Sequence, residues 1–326
     1  MHKGLEKGAA IGIFSPSYPI TAEAVNAVTR AESFIKSKGY HIKRGRLWGK
    51  ADAFRSGTAK ERADEVNELL YDSDVDCLMA SFGGCVTNGI LPYIDYDYFA
   101  KNPKLVVGMS DTTALLLALY EKTRIPVYYG TNFVTSFARL SPYRDIAFQC
   151  LCDVVGFKDK YVYSAPEYYS DEIVDWWNKD LLSEKQMPNR IITVRAGKTT
   201  GRLIGGNLST LAVIWGTPYM PEIKKGDILF LEDTEAWAGD VERYITWLKL
   251  CGVFNLISGL IIGKFRAFDD AGTKKKSYEI IMESLGEVNF PIIAETDFSH
   301  CAPMLSIPIG ITGELDANAQ TLTLLR

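Results

Sequence analysis

The chain reads as an α/β protein in two parts: a parallel-sheet half, then a more β-rich α+β half. Three observations carry this. Up to about residue 160 short apolar runs alternate with helical stripes, the pattern of a parallel sheet covered by helices on both faces. Beyond that point strand-like runs come closer together. And 326 residues exceed the usual size of one domain.

Taken in order, Ala9 to Phe14 is apolar enough for a buried strand, and Ser15-Pro16-Ser17 ends it. Thr21 caps a helix with the inward stripe Ala24, Val25, Val28, Ala31 and Ile35, and Gly39 stops it. Tyr40 to Lys43 is a short strand. Lys60 to Tyr71 is a helix with Ala63, Val66, Leu69 and Leu70 inward. Val75 to Ala80 is a strand closing on Ser81-Phe82-Gly83-Gly84. Leu105 to Met109 is the next strand, an Ala/Leu-rich helix follows from Ala114 to Tyr120, and Pro126 to Tyr129 is a further strand. Ser164 to Asn189 is polar and aromatic, with Pro166, Pro188 and Trp176-Trp177, and reads as a linker or lid. Strands are then expected at Ile191 to Val194, Asp227 to Leu231, Leu260 to Ile262, Ile292 to Ala294 and Thr321 to Leu325. Helices are expected near Leu208 to Trp215, Val241 to Leu250 and Ser277 to Leu285. The predicted division is 1–164, a linker or lid at 165–190, and 191–326.

Composition narrows the function. A net charge of −4, with only short lysine runs, argues against a nucleic-acid polymer as partner. No apolar run approaches the roughly 20 residues of a membrane span. Six cysteines without a Cys-x-x-Cys pair read as reduced, mostly buried thiols, which points to the cytoplasm.

The chemistry centres on Gly108-Met109-Ser110-Asp111-Thr112. Strand, tight turn and helix in that order put a serine at a sheet edge beside a helix N-terminus, as in a nucleophile elbow. Thr112 stands where that motif has its second glycine. The competing reading is a helix cap, since Ser110, Asp111 and Thr112 all cap well. Ser15, Gly83-Gly84 and Ser110 each follow a strand, and strand ends are where ligands gather in such sheets.

A nucleophilic serine needs a base, and the base an orienting acid. Of three histidines, His2 is terminal and His41 sits on a short polar strand. His300 lies in a loop after Ile292 to Ala294 and is either the base or a hydrogen-bonded structural residue. Glu232-Asp233 ends an apolar strand; it reads as a paired carboxylate, a metal site or a helix-start acid. The metal reading lacks ligands, there being no His-x-x-x-His. Asp111 N–H and the Gly83-Gly84 turn can furnish an oxyanion hole. Cys301, beside His300, is the alternative nucleophile. No dinucleotide or P-loop glycine motif is present.

Several of these segments, in order, resemble the LD-carboxypeptidase family of serine peptidases, most of all its microcin C immunity branch. They are Ile11 to Ser17, Arg55-Ser56-Gly57-Thr58, Ser81 to Gly84, Leu91 to Tyr96, Gly108 to Thr113, Gly205-Gly206-Asn207-Leu208, Leu231-Glu232-Asp233, and Asp297 to His300 running to Pro308-Ile309-Gly310. The resemblance implies a Rossmann/flavodoxin-like first domain, a β-rich second one, and a Ser-Glu-His triad, here Ser110, Glu232 and His300. It implies an oxyanion hole from the backbone of Gly84 and Asp111, and substrate contacts at Gly83 and Asn207. It also implies a homodimer that uses no cofactor. The substrate class is an aminoacyl or peptidyl nucleotide, or alternatively a murein peptide. A non-catalytic nucleotide- or peptide-binding protein on the same scaffold is the reading of another class. In the immunity branch an aromatic on the linker stacks on the nucleobase; Trp176 or Trp177 fits that role, or anchors the linker. The branch also carries a lysine soon after the catalytic acid that helps read an acidic substrate residue. Here no basic residue follows Glu232 until Arg243.

Overall fold

The computed structural model describes residues 5–177 and 181–326; His2 lies outside them. Its strands are β1 (Ala10–Phe14), β2 (His41–Arg44), β3 (Cys77–Ala80), β4 (Leu105–Gly108), β5 (Val127–Tyr129), β6 (Lys160–Val162), β7 (Tyr168–Tyr169) and β8 (Met187–Pro188). They continue with β9 (Ile192–Arg195), β10 (Lys198–Asn207), β11 (Ile228–Glu232), β12 (Gly259–Gly263), β13 (Ile292–Thr296), β14 (Ile307–Ile309), β15 (Thr312–Asp316) and β16 (Thr321–Leu325).

The first sheet runs β2-β1-β3-β4-β5, all parallel, with β14 added antiparallel at the β5 edge. The order 2-1-3-4-5 is the flavodoxin-like one. Every residue of β3 and β4 is buried, as continuous apolar strands covered on both faces must be. The edge strand β14 was not anticipated. Three residues with a proline at the centre carry no periodic signal, and proline is tolerated only at such an edge. Ile307 pairs with Tyr129, so the chain returns from the second half to seal the first sheet.

The second sheet runs β6-β16-β15-β10-β11-β12-β13-β9. Its middle, β10 to β13, is parallel. The flanking strands are antiparallel. This is the mixed, β-rich half the spacing predicts.

The first helix differs from expectation. It breaks at Ala24 into Ile20–Glu23 and Val25–Ser37. The break shifts the phase, so Val25 points outward while Ala27, Val28, Ala31, Phe34 and Ile35 are buried. Thr21 does not cap; its hydroxyl accepts the Gly49 N–H at 3.1 Å. Thr58 caps Ala59–Tyr71 through a reciprocal capping box with Glu61.

The described residues of the segment 165–190 are pinned on both sides. β7 pairs with β8, and Ser170 pairs with Ala302, two residues past His300. A buried Arg139–Glu184 ion pair (2.5 Å) and a Leu140 N–H bond to the same carboxylate (2.6 Å) fix the segment to the first half.

Candidate active site

β4 ends at Gly108 because nothing larger fits: a Cβ there would lie 2.5 Å from Thr112 Cγ2. Thr112 therefore fills the space that a second elbow glycine leaves open in the common motif. Met109 is extended, its N–H bonded to Asn132 Oδ1 (3.0 Å). Ser110 has φ 60°, a left-handed conformation costly for a residue with a Cβ and concentrated at functional turns. A 3-10 turn, Ser110–Thr112, then leads into the helix Thr113–Thr123.

The cap reading does not hold. No side chain caps either segment. Asp111 turns its carboxylate to the Thr87 N–H (2.8 Å) and hydroxyl (2.7 Å), and Thr112 Oγ1 is buried without a partner. The Gly83-Gly84 turn lies against the serine. A Cβ on Gly83 would sit 2.8 Å from Ser110 Cβ, 2.9 Å from its Oγ and 3.7 Å from the Asp111 nitrogen. Gly84 has φ 143°, which an L side chain rarely adopts. Ser17 holds the turn, its hydroxyl accepting the N–H groups of Cys85 and Val86 at 3.0 Å each.

Across from this turn, β11 delivers Glu232 fully buried. A buried carboxylate must be saturated with donors, and this one is. Oε2 faces His300 Nδ1 at 2.6 Å and accepts the His300 backbone N–H at 3.2 Å. Oε1 accepts the Tyr129 hydroxyl and Asn207 Nδ2 (3.3 Å). With Nδ1 committed to the carboxylate, Nε2 is the imidazole nitrogen left to handle a proton. The Tyr129 oxygen in turn accepts the Ser110 N–H at 3.2 Å. One phenol thus connects the serine's backbone to the acid. Among the described residues Ser110 Oγ itself makes no hydrogen bond, to His300 or to any other group.

Asn207, expected to meet substrate, engages its amide within the protein. Oδ1 accepts from Thr210 N (3.1 Å), Thr210 Oγ1 (2.8 Å) and Ser209 Oγ (2.8 Å), while Nδ2 bonds Glu232 and Asp233 (2.9 Å). It caps a helix and braces the acid pair. Asp233 accepts the Ser209 N–H (2.9 Å) and its own neighbour's, Thr234 (2.9 Å). Burial, then the adjacent Glu232 charge, raises its proton affinity.

The tryptophans separate. Trp176 is 4% exposed, with the Arg139 guanidinium 5.7 Å from its ring; this is the anchor. Trp177 is 50% exposed and meets Tyr18 edge-on at 6.3 Å, and Tyr18 adjoins Phe82 at 5.9 Å, next to Gly83. Cys301 is buried, which pushes its thiol up to about 12 and leaves it a poor nucleophile. All six cysteines are unpaired; Cys77, Cys150 and Cys301 are buried, Cys152 half-buried, and Cys85 and Cys251 exposed. Among the described residues no group of His, Cys, Asp or Glu is arranged to hold a metal ion. No helix there is long and apolar enough to cross a membrane.

Sequence reasoning missed Tyr129, Ser17 and Asn132. Tyr129 closes a predicted strand, and a polar tip at a strand end next to the elbow strand was the available signal.

Residues 11–130 match the LD-carboxypeptidase N-terminal domain and residues 200–315 the LD-carboxypeptidase C-terminal domain. The chain is 42% identical to the microcin C7 self-immunity protein MccF of Escherichia coli, over 98% of this chain and 94% of that one. It is 22% identical to the murein tetrapeptide carboxypeptidase of Pseudomonas aeruginosa, over 94% and 93%. Solved structures of MccF, unliganded and in complex with aspartyl sulfamoyl adenosine, superpose with a TM-score of 0.97 at 40% identity, covering 100% of this chain and 98% of theirs. An MccF-like protein of Bacillus anthracis gives 0.88 at 29%, covering 99% and 98%. With both halves matched and the elbow, acid and histidine loop in place, the chain belongs to the LD-carboxypeptidase family of serine peptidases, among its MccF-like members.

Proposed function

We propose that this enzyme hydrolyses an aminoacyl or peptidyl nucleotide through an acyl-enzyme formed on Ser110. Ser110 Oγ attacks the scissile carbonyl carbon while His300 Nε2 takes the hydroxyl proton. Glu232 holds the imidazole and balances its charge. The oxyanion rests on the N–H groups of Asp111 and Gly84. The C–N bond breaks as His300 returns the proton to the leaving nitrogen, and water then hydrolyses the seryl ester. Trp177 offers the exposed indole on which a nucleobase can stack.

The observation that carries this reading is the buried Glu232–His300 pair at 2.6 Å, joined through Tyr129 to the backbone of a serine with φ 60°. The nucleotide class rests on the MccF complex with aspartyl sulfamoyl adenosine. A cytoplasmic location, in keeping with six unpaired cysteines, and a homodimer belong to the same reading; light scattering checks the second.

The test is turnover of an aspartyl-adenylate analogue beside a murein tetrapeptide, with Ser110→Ala as control. Product from the nucleotide with the parent, and none with the variant, is expected. Turnover of the tetrapeptide alone would move the enzyme to the murein branch. Saturable binding without product, or parent-rate hydrolysis by Ser110→Ala, would refute the mechanism.

A further inference from the structure

Beside the acid strand sits a cation that nothing described so far employs. Arg266 follows β12, and its backbone pairs in parallel with Thr234, two residues past Glu232. The residue is 9% exposed. A guanidinium carries five N–H donors, yet Arg266 makes one side-chain hydrogen bond, Nε to Thr234 Oγ1 at 3.2 Å. Among the described residues its single ion-pair partner is Glu235, at 3.7 Å and 65% exposed, a contact weakened by distance and solvent. Desolvation, then the nearby charge of Arg139, pulls its proton affinity down, while Glu235 and Glu232 partly offset this.

Arg139 is the second cation. It is almost fully buried; Nη1 is paired to Glu184 and Nε bonds the Thr135 carbonyl at 3.2 Å. Among the described residues its Nη2 is buried without a partner. Asn132 Nδ2 and Thr135 Oγ1 are likewise buried and unpartnered. These three residues lie on and beside the short helix Phe133–Phe137, Asn132 at its N-cap and Arg139 just past its C-cap; Asn132 also grips Met109, the residue before Ser110. Protein interiors do not leave cations and donors unanswered without reason. Among the described residues the two guanidiniums have one close carboxylate between them, Glu184; the Glu232 and Asp233 oxygens on the adjoining strand are engaged by His300, Tyr129, Asn207, Ser209 and Thr234, and no lysine or arginine lies between Glu232 and Arg243 to share the task.

We propose that Arg266, backed by Arg139, binds a carboxylate on the acyl residue of the substrate and makes the enzyme selective for acidic acyl groups. The proposal rests on the nucleotide reading above. A planar guanidinium fork meets a carboxylate with two parallel bonds, so neutral acyl groups leave its donors unmet and bind more weakly.

The test is calorimetric binding of aspartyl sulfamoyl adenosine, alanyl sulfamoyl adenosine and adenosine monophosphate to the Ser110→Ala protein, which cannot form the acyl-enzyme and serves here as the parent, and to the same protein carrying Arg266→Met or Arg266→Lys. Fluorophosphonate labelling of the matching Arg266 variants that keep Ser110 serves as the check on folding. The parent should prefer the aspartyl over the alanyl compound by at least about tenfold, a typical discrimination for a buried polar contact. Arg266→Met should bring the two within about twofold, with adenosine monophosphate unaffected. Arg266→Lys, which keeps the charge but loses the fork, should keep part of the preference; it carries the test if the methionine variant does not fold. An unchanged preference in the variants overturns the proposal. So does a loss confined to adenosine monophosphate, which would place a phosphate at Arg266. Equal binding of both acyl compounds by the parent overturns this proposal alone. Binding of neither overturns the nucleotide reading with it.

Discussion

Tyr129→Phe isolates the joint between Ser110 and Glu232, the proposed nucleophile and orienting acid. The hydroxyl makes two bonds: it donates to Glu232 Oε1 and accepts the Ser110 N–H. Burial, followed by the Glu232 charge, raises its proton affinity well above a phenol's ordinary value, so it remains a neutral donor throughout the working pH range. The substitution leaves Oε1 with Asn207 alone at 3.3 Å and the serine N–H with nothing. A hydrogen bond to a charged acceptor is worth about 1.5–3 kcal/mol and a neutral one about 1 kcal/mol. The sum, about 2.5–4 kcal/mol, corresponds to roughly 50- to 1000-fold in rate if all of it falls on the reacting arrangement. The ring keeps its place, packed at 5.8 Å against Phe230, so the fold should survive. The assay is kcat and KM measured separately, with the fluorophosphonate labelling rate of Ser110 as a substrate-free readout. Because the hydroxyl is committed to protein groups, kcat and the labelling rate should fall while KM holds. A variant with both rates within about twofold of the parent would refute the positioning role.

Three further perturbations bear on the frame around the site. Gly83 lies outside the left-handed region, so Gly83→Ala should fold. Its methyl, 2.9 Å from Ser110 Oγ, should cut kcat/KM and labelling by about 100-fold or more; parent-rate labelling would contradict the contact. Asn207→Ala removes a helix cap worth about 1 kcal/mol and unsatisfies a buried acid pair at about 1–3 kcal/mol more; a drop of about 2–4 kcal/mol in urea unfolding is expected, and a neutral result would show the brace to be idle. Glu65 is buried beneath the N–H groups of Ser15 (2.6 Å) and Leu47 (2.8 Å), and burial outweighs those bonds, pushing its carboxyl from 4.5 up to about 7. The folded state therefore holds this proton more tightly than the unfolded chain. Its contribution is full below about pH 4.5 and is lost as pH rises through about 7, a change of about 3 kcal/mol. Unfolding at about pH 5 and pH 8 should show that slope in the parent, and Glu65→Gln should flatten it; an equal slope in both would refute it.

What could be read from the chain followed physical periodicity. The parallel strands were legible because burial on both faces leaves continuous apolar runs, as in Leu105 to Gly108. Glu232 was legible because a carboxylate at the end of such a run demands a partner, and His300 because it lies in a loop after a strand. The break at Ala24 was not legible: a kink of one residue leaves the composition unchanged while rotating the stripe. Nor was the role of Asn207, since capping and substrate contact ask for the same side chain. Trp176 and Trp177 looked equivalent because adjacency in sequence says nothing of which ring turns inward. Arg266 was overlooked because an isolated arginine after a strand carries no pattern; only its shortage of partners sets it apart.

The unexpected strand β14 has a mechanical reading that explains how a site split between two sheets keeps its geometry. Ser110 is set by β4 of the first sheet and Glu232 by β11 of the second, so the distance between them depends on how the sheets are held together. The chain leaving the His300 loop enters β14 and pairs with β5, placing Ile307 opposite Tyr129. Tyr129 in turn bonds Glu232, and Glu232 holds both the backbone and the ring of His300. The loop bearing His300 is thus registered against the residue that joins the Ser110 backbone to Glu232, through main-chain bonds on one side and the carboxylate on the other. Ser170 adds a second backbone pairing at Ala302, between His300 and β14. Closure of this ring of contacts requires the second half to lend a strand to the first sheet, which is a reason for the chain to return there when its own sheet has edges to spare.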